Sequence, residues 1–232
     1  MGPRSIEELV VADSAWPEMR KALEDGGERV EVLPAGPGRA EATLLALQVT
    51  THSTLGALAY QTGGILMDGG WVRLLGSGHP RLPRDLASWN GLGEPPARVR
   101  QSGALLFADD VLGGFFAING GGLPGPSNHV LYLAPDTLEW EETDLGFTDF
   151  FYWLTDADRI AGFYGEDRWE GWRAELSNVS GNQAFSFYPP LWVSPVDAGR
   201  RPAAGERSRK AISVDEAWHL NAHRYPQQLG LR

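Results

Sequence analysis

A chain of 232 residues, 42% hydrophobic and 22% charged, has a globular balance and is long enough for one sizeable core. Its net charge of −10 argues against non-specific nucleic-acid binding, which needs cations facing phosphates, and favours a solvated monomer or a basic partner. The absence of cysteine excludes disulfides, thiolate metal sites and cysteine nucleophiles.

Ser5-Ile6-Glu7-Glu8 fits a capping box and opens a short helix to about Val11. Asp13 or Ser14 caps a second helix carrying Trp16, Met19 and Leu23, which Gly26-Gly27 ends. Val30 to Leu33 alternates as a short strand, and Arg39 to Leu47 reads as a helix rich in Ala and Leu. Leu55-Tyr60, Ile65-Met67 and Trp71-Leu75, separated by Gly-Gly turns, predict a first set of hairpins. A brief helix from Leu82 to Trp89 follows, and Gly91 to Pro96 is the expected hinge between halves.

From Gly103 to Trp153 the chain carries four short apolar runs: Ala104-Phe107, Phe115-Ile118, Val130-Leu133 and Leu138-Trp140. The breakers Asp109-Asp110, Gly120-Gly121-Gly122 and Ala134-Pro135-Asp136 between them predict turns, the pattern of an antiparallel meander. Thr148 then caps a helix of Phe150 to Leu154, apolar on every side and so either buried or covered by a partner. Trp169, Trp172 and Leu176 line one face of a further helix and read as core. Phe185 to Trp192 reads as an edge strand because Pro189-Pro190 cannot donate to an inner ladder, Arg200 to Arg209 as a loose polar loop, and Val214 to His223 as a last helix stopping near Pro226. The N-terminus lacks the apolar region of a secretory signal and no window reaches the ~18 apolar residues of a membrane span, so a cytoplasmic protein is expected.

Charge is unevenly placed. Gln101 to Asp158 holds no Lys or Arg but ten acidic residues, while the chain from Arg200 onward is basic. The bland expectation is that this tail folds back over the acidic stretch. Asp109-Asp110 and Glu141-Glu142 are the notable pairs, expected at strand ends on one rim, with Tyr132 and Trp140 nearby. Such carboxylates could serve glycosidase-type acid/base work, yet turns and strand ends favour acids for ordinary local reasons. Gly120-x-Gly122-x-x-Gly125 matches the dinucleotide glycine pattern as text but precedes a strand, so a flexible hairpin loop is expected. His219 and His223 sit one turn apart and read as solvated surface residues. Neither a metal nor a cofactor is expected.

The segments LPRDLASWNG (Leu82-Gly91), LLFADDVLGGFFAINGG (Leu105-Gly121), HVLYLAPDTLEW (His129-Trp140), TDFFYWL (Thr148-Leu154) and RWEGW (Arg168-Trp172), with the earlier Gln48-Gly78, resemble a bacterial family known as domain of unknown function 2625. That resemblance implies no activity and no catalytic residue. Leu82 to Leu154 is also similar, more loosely, to the SUKH superfamily, which implies an α+β fold and immunity proteins that bind bacterial toxins.

The expected architecture is α+β and SUKH-like, an antiparallel meander with helices mainly on one side, as a single domain or two closely packed halves (1–90 and 97–232). The leading functional expectation is a non-enzymatic protein-binding module, an immunity-type toxin inhibitor being one form. Its partner is a basic protein such as a toxin, met through Asp109, Asp110, Tyr132, Trp140, Glu141, Glu142 and Trp153. The alternatives are a hydrolase on the paired carboxylates and an oligomeric scaffold, such as a homodimer, using the Phe150-Leu154 helix.

Overall fold

The computed structural model describes residues 2–93, 100–193 and 202–231. Short apolar runs broken by turn residues build a seven-stranded antiparallel meander in which each strand pairs with its neighbour in sequence. Its strands are β1 (Val30–Pro34), β2 (Thr62–Met67), β3 (Val72–Leu75), β4 (Ala104–Asp110), β5 (Phe115–Asn119), β6 (His129–Leu133) and β7 (Trp140–Gly146). The fold is therefore α+β. The β3–β4 pairing, with Arg73 opposite Asp109, carries the sheet across the Gly91–Pro96 segment, of which Glu94 to Pro96 lie outside the described residues.

Successive residues of a strand point to opposite faces, which assigns the layers. Phe116 of β5 meets Phe150 at 5.1 Å between ring centroids, in α6 (Phe147–Thr155). Its neighbour Phe115 meets Trp218 at 4.9 Å, in α9 (Val214–His219). Helices α2 (Trp16–Asp25) and α4 (Thr54–Gln61) pack with α6, and α7 (Ala157–Tyr164) follows it. On the other face α9 packs on a separate hairpin of β8 (Gln183–Tyr188) and β9 (Ser208–Ser213). The remaining helices are α1 (Ile6–Leu9), α3 (Arg39–Leu47), α5 (Leu86–Trp89), α8 (Trp172–Leu176) and α10 (Tyr225–Leu229).

Several elements depart from the sequence expectation for local reasons. Leu55–Tyr60 lies within α4 and is no strand: an apolar run of six has no period to separate the two, and the Ser53 hydroxyl decides by accepting the Gly56 N–H at 3.1 Å. Asp109-Asp110 is the end of β4 and not a turn, and β7 runs on to Gly146, so Glu141 and Glu142 lie within a strand. α5 begins only at Leu86, where Asp85 caps it after Pro83. Ser208 and Arg209, expected to end a polar loop, instead open the strand β9. The last helix passes Pro226 by way of a wide turn at Leu220–Arg224, and the proline falls in the first turn of α10, where its missing N–H costs little. Phe150, Phe151 and Leu154 are buried, so α6 spends its apolar surface on the core and leaves Tyr152 and Trp153 half-exposed.

The glycine-rich loop after β5 is shaped by one buried side chain. The Asn119 amide oxygen accepts N–H groups from Gly121 (2.8 Å) and Leu123 (3.1 Å), and its NH2 faces the carbonyls of Leu123, Pro124, Gly125 and Pro126. The Gly120-x-Gly122-x-x-Gly125 segment is wound around an asparagine and needs no phosphate to order it. Asn119→Asp keeps the size but cannot donate to those carbonyls. It should lower stability by at least about 2 kcal/mol in urea unfolding and speed hydrogen exchange at Gly121 and Leu123, whereas a loop free of Asn119 would show neither change.

Candidate functional site

The two aspartates expected on a rim are interior. Asp109 is 1% and Asp110 0% exposed, and, being adjacent in β4, they point to opposite faces of the sheet. Asp109 lies on the α9 face, paired with Arg73 of β3 at 2.5 Å and with Arg84. Both arginines are themselves buried, and desolvation pulls Arg73 below the usual guanidinium range while the Asp109 charge opposes that shift. Such a pair holds only because each charge is matched.

Asp110 lies on the α6 face. One carboxylate oxygen accepts the backbone N–H groups of Leu112 (2.9 Å) and Gly114 (2.8 Å), which closes the β4–β5 turn. The other accepts the hydroxyls of Tyr132 (2.7 Å) and Tyr164 (3.0 Å). Burial pushes its pKa up to about 6, against the pull of those donors and of Arg73. Burial and the neighbouring Asp110 charge hold both tyrosines well above the usual phenol range. A Cβ at Gly114 would overlap the Tyr132 ring, so glycine is what lets the tyrosine reach the carboxylate.

Above Tyr132 a groove of about 240 Å³ opens between the outer strands and the helices. Tyr132 of β6, Glu141, Glu142 and Leu145 of β7, Phe150 and Trp153 of α6, and Phe163 of α7 line it. The rings form a connected path. Trp153 meets Phe163 at 5.3 Å, Phe163 meets Tyr132 at 5.2 Å, and Tyr132 stacks on Phe116 at 4.6 Å. Phe163 is 39% exposed, which is unusual for a ring with that much packing around it. Glu141, opposite Tyr132, supplies the acidic wall, one of its oxygens held by the Thr137 hydroxyl at 2.7 Å, while Glu142, opposite Leu131, directs its side chain past Gly125. Glu139, Asp144 and Asp149 nearby are also exposed.

Four of the seven residues singled out from sequence thus converge: Tyr132, Glu141, Glu142 and Trp153. Asp109 and Asp110 are corrected to core positions because Arg73, Arg84 and two tyrosines draw them inside. Trp140 is turned away, 6.5 Å from Trp218 on the α9 face. A hydrolase built on all four carboxylates therefore loses its Asp pair. In the basic tail, Arg209 pairs with Glu175 at 2.5 Å and Arg207 donates to carbonyls at Pro189 and Pro202, so both side chains brace the hairpin. Arg200, Arg201 and Arg232 lie outside the described residues. Phe163 and Leu145 escaped the sequence reading because each is one apolar residue in a mixed segment. Arg73 did carry a signal: a lone cation between Val72 and Leu74 in an apolar strand requires a buried partner.

Among the described residues no group of three or more His, Asp or Glu is arranged to hold a metal, and no helix is long and apolar enough to cross a membrane. The model of the family described as "Protein of unknown function DUF2625" matches residues 6–217. The uncharacterized protein YbfG of Escherichia coli (strain K12) is 44% identical over 218 residues, covering 94% of this chain and 95% of its own length. An uncharacterized protein of Haemophilus influenzae is 32% identical over 219 residues, covering 94% and 93% respectively.

Two predictions separate interior from surface acids. Asp109→Ala strands two buried guanidinium groups and should cost about 3–5 kcal/mol in urea unfolding, while Glu141→Ala and Glu142→Ala should each stay within about 0.5 kcal/mol. Equal costs at the three sites would contradict this burial pattern. For Asp110 the sign follows from its raised pKa. Between about pH 4 and pH 6 the folded protein holds a proton that the unfolded chain has lost, so the Asp110 contribution to stability falls as pH rises through that window. Relative to Asp110→Asn, which does not titrate, the wild type should lose roughly 2–3 kcal/mol from pH 4 to pH 7. A pH-independent difference would mean that Asp110 ionises normally.

Proposed function

The chain belongs to the DUF2625 family, and we propose that it is a protein-binding module whose aromatic groove receives a basic segment of another protein. The observation that carries this reading is the convergence of Tyr132, Trp153 and Phe163 with Glu141 and Glu142 in one groove. An apolar floor with a carboxylate wall suits an aromatic or aliphatic anchor flanked by Lys or Arg. Charge adds long-range selection, since no Lys or Arg occurs from Gln101 to Asp158. Recognition by side chains is favoured over strand addition: β7 is a sheet edge, but Asp144 at φ 59° kinks it and its acids discourage a flat partner strand. An immunity-type inhibitor that masks a basic toxin is the specific form implied by the SUKH resemblance.

Selection from a displayed random peptide library at low salt tests the proposal. Enriched peptides should carry a large apolar residue next to Lys or Arg. Trp153→Ala should weaken their binding at least tenfold, Glu141→Gln with Glu142→Gln several-fold, and raising salt from about 50 to 500 mM should mimic the double variant. Neutral or acidic winners, or binding indifferent to these substitutions, would overturn it.

A further inference from the structure

Among the described residues, four arginines bridge a tryptophan ring and a carboxylate. The Arg209 guanidinium lies 4.1 Å from the centre of the Trp169 ring and pairs with Glu175 at 2.5 Å, and the same carboxylate accepts the Trp169 indole N–H at 3.0 Å. Arg100 lies 3.6 Å over Trp89 and pairs with Asp215 at 2.5 Å, and Arg84, 4.8 Å from the same ring, pairs with Asp109. Arg168 lies 5.2 Å over Trp71 and pairs with Asp68 at 2.5 Å. A guanidinium suits this role because it is planar: its face meets the ring while its edge donates to the carboxylate, which a compact ammonium cannot do at once.

The aromatic groove holds the two outer members of this arrangement without the arginine. Trp153 and Glu141 both line it. Trp153 stacks on Phe150 at 5.4 Å and meets Phe163 at 5.3 Å and 88°, yet it stays half-exposed. Among the described residues no guanidinium or ammonium lies over Trp153 or Phe163. Glu141 stands opposite Tyr132 in the β6–β7 ladder. The Thr137 hydroxyl holds one of its oxygens at 2.7 Å and leaves the other to accept, and no described cation pairs with the carboxylate. An indole with open surface and a fixed carboxylate thus share one hollow of about 240 Å³ whose cation none of the described residues supplies.

We propose that the groove takes one arginine side chain of the partner protein, its guanidinium laid on Trp153 and Phe163 and paired with Glu141. This rests on the reading of the groove as a protein-binding site, and it names the residue of the basic segment that meets the indole. Exposed Glu139 and Asp144 add attraction from the same edge of the sheet, and no Lys or Arg from Gln101 to Asp158 stands ready to fill the place. Arginine is preferred to lysine for the reason the four internal pairs show: ring and carboxylate are satisfied together.

The indole N–H signal of Trp153, assigned through Trp153→Phe, reports the site in an NMR titration of the full chain. The probes are three capped dipeptides, acetyl-Leu-Arg-amide, acetyl-Leu-Lys-amide and acetyl-Leu-citrulline-amide, the last keeping the shape of arginine without its charge. The arginine probe should shift the signal saturably and bind at least about fivefold more tightly than the lysine probe, and the citrulline probe should not saturate. Glu141→Gln should weaken arginine binding at least about fivefold, whereas Glu142→Gln, whose side chain passes Gly125, should change it less than about twofold. Both glutamates are exposed, so these variants keep the fold. A lysine or citrulline probe that binds as tightly as arginine, or binding indifferent to Glu141→Gln, would overturn the arginine assignment and leave a protein-binding groove standing. The absence of a saturable shift with the arginine probe would overturn the assignment too, and the library selection would then judge the broader reading alone. Dimerisation that Glu141→Gln abolishes would place the arginine on a second copy of this chain and overturn its assignment to a partner.

Discussion

Two adjacent carboxylates at the end of β4 organise this protein. Because a strand presents alternate residues to alternate faces, Asp109 and Asp110 anchor different layers of the fold from neighbouring backbone positions. Asp109 gathers Arg73 and Arg84 beneath the α9 side, and through Arg84 reaches the Gly181 carbonyl. Asp110 closes the β4–β5 turn and draws Tyr132 and Tyr164 beneath the α6 side. Neither carboxylate alone would stabilise a fold, because burying a charge costs several kcal/mol unless it is paired or fully hydrogen-bonded. What they supply is specificity: a slip of one residue in β4 would exchange the two environments, offering a pair of hydroxyls to one carboxylate and two guanidiniums to the other.

The aromatic residues divide along the same line. Trp71, Tyr164, Trp169 and Trp172 form a buried cluster at the β2–β3 turn, with centroids 4.9–5.5 Å from Trp71 and the Arg168 guanidinium 5.2 Å above its ring. Trp89 lies under the guanidiniums of Arg84 and Arg100, at 4.8 and 3.6 Å. Trp153 and Phe163 are instead left part-exposed over Tyr132. Tyr132 therefore belongs to both surface and core, its ring a groove floor and its hydroxyl a donor to the buried carboxylate. The ring that floors the surface groove is held by the same hydrogen bond that fills the core.

How much of this was legible in the sequence follows from the range of each interaction. The strands β4 to β6, the helix α3 and the helix at Phe150 were readable because local turn chemistry and apolar runs mark them. The helix α4 was not, since its six apolar residues carry no period and only a hydroxyl cap distinguishes it. The groove was half readable. Glu141 and Glu142 stood out as a pair and Tyr132 and Trp153 as aromatics near them, while Phe163 arrives from a later helix through tertiary packing alone. The Asp109-Asp110 pair misled for a physical reason. Two acids before Val-Leu-Gly-Gly look like a solvated turn, and only the pairing of β3 with β4 reveals that Arg73 is waiting opposite.

That distinction changes how an acidic stretch should be read. A run of 58 residues without a cation, Gln101 to Asp158, suggests one continuous negative face. In the folded chain the acids separate by the reach of the arginines around them. Asp109 is neutralised by Arg73 and Arg84, from outside the run, Asp110 is held by the Tyr132 and Tyr164 hydroxyls and two backbone N–H groups, and both become part of the core. Those from Glu139 to Asp149 lie on the edge strand and the start of α6 and keep their hydration. The negative field available to a partner is therefore narrower than the sequence suggests and centred on the aromatic groove. Composition alone thus overstates the surface charge of this run, because the divergent pair in β4 is buried inside the fold.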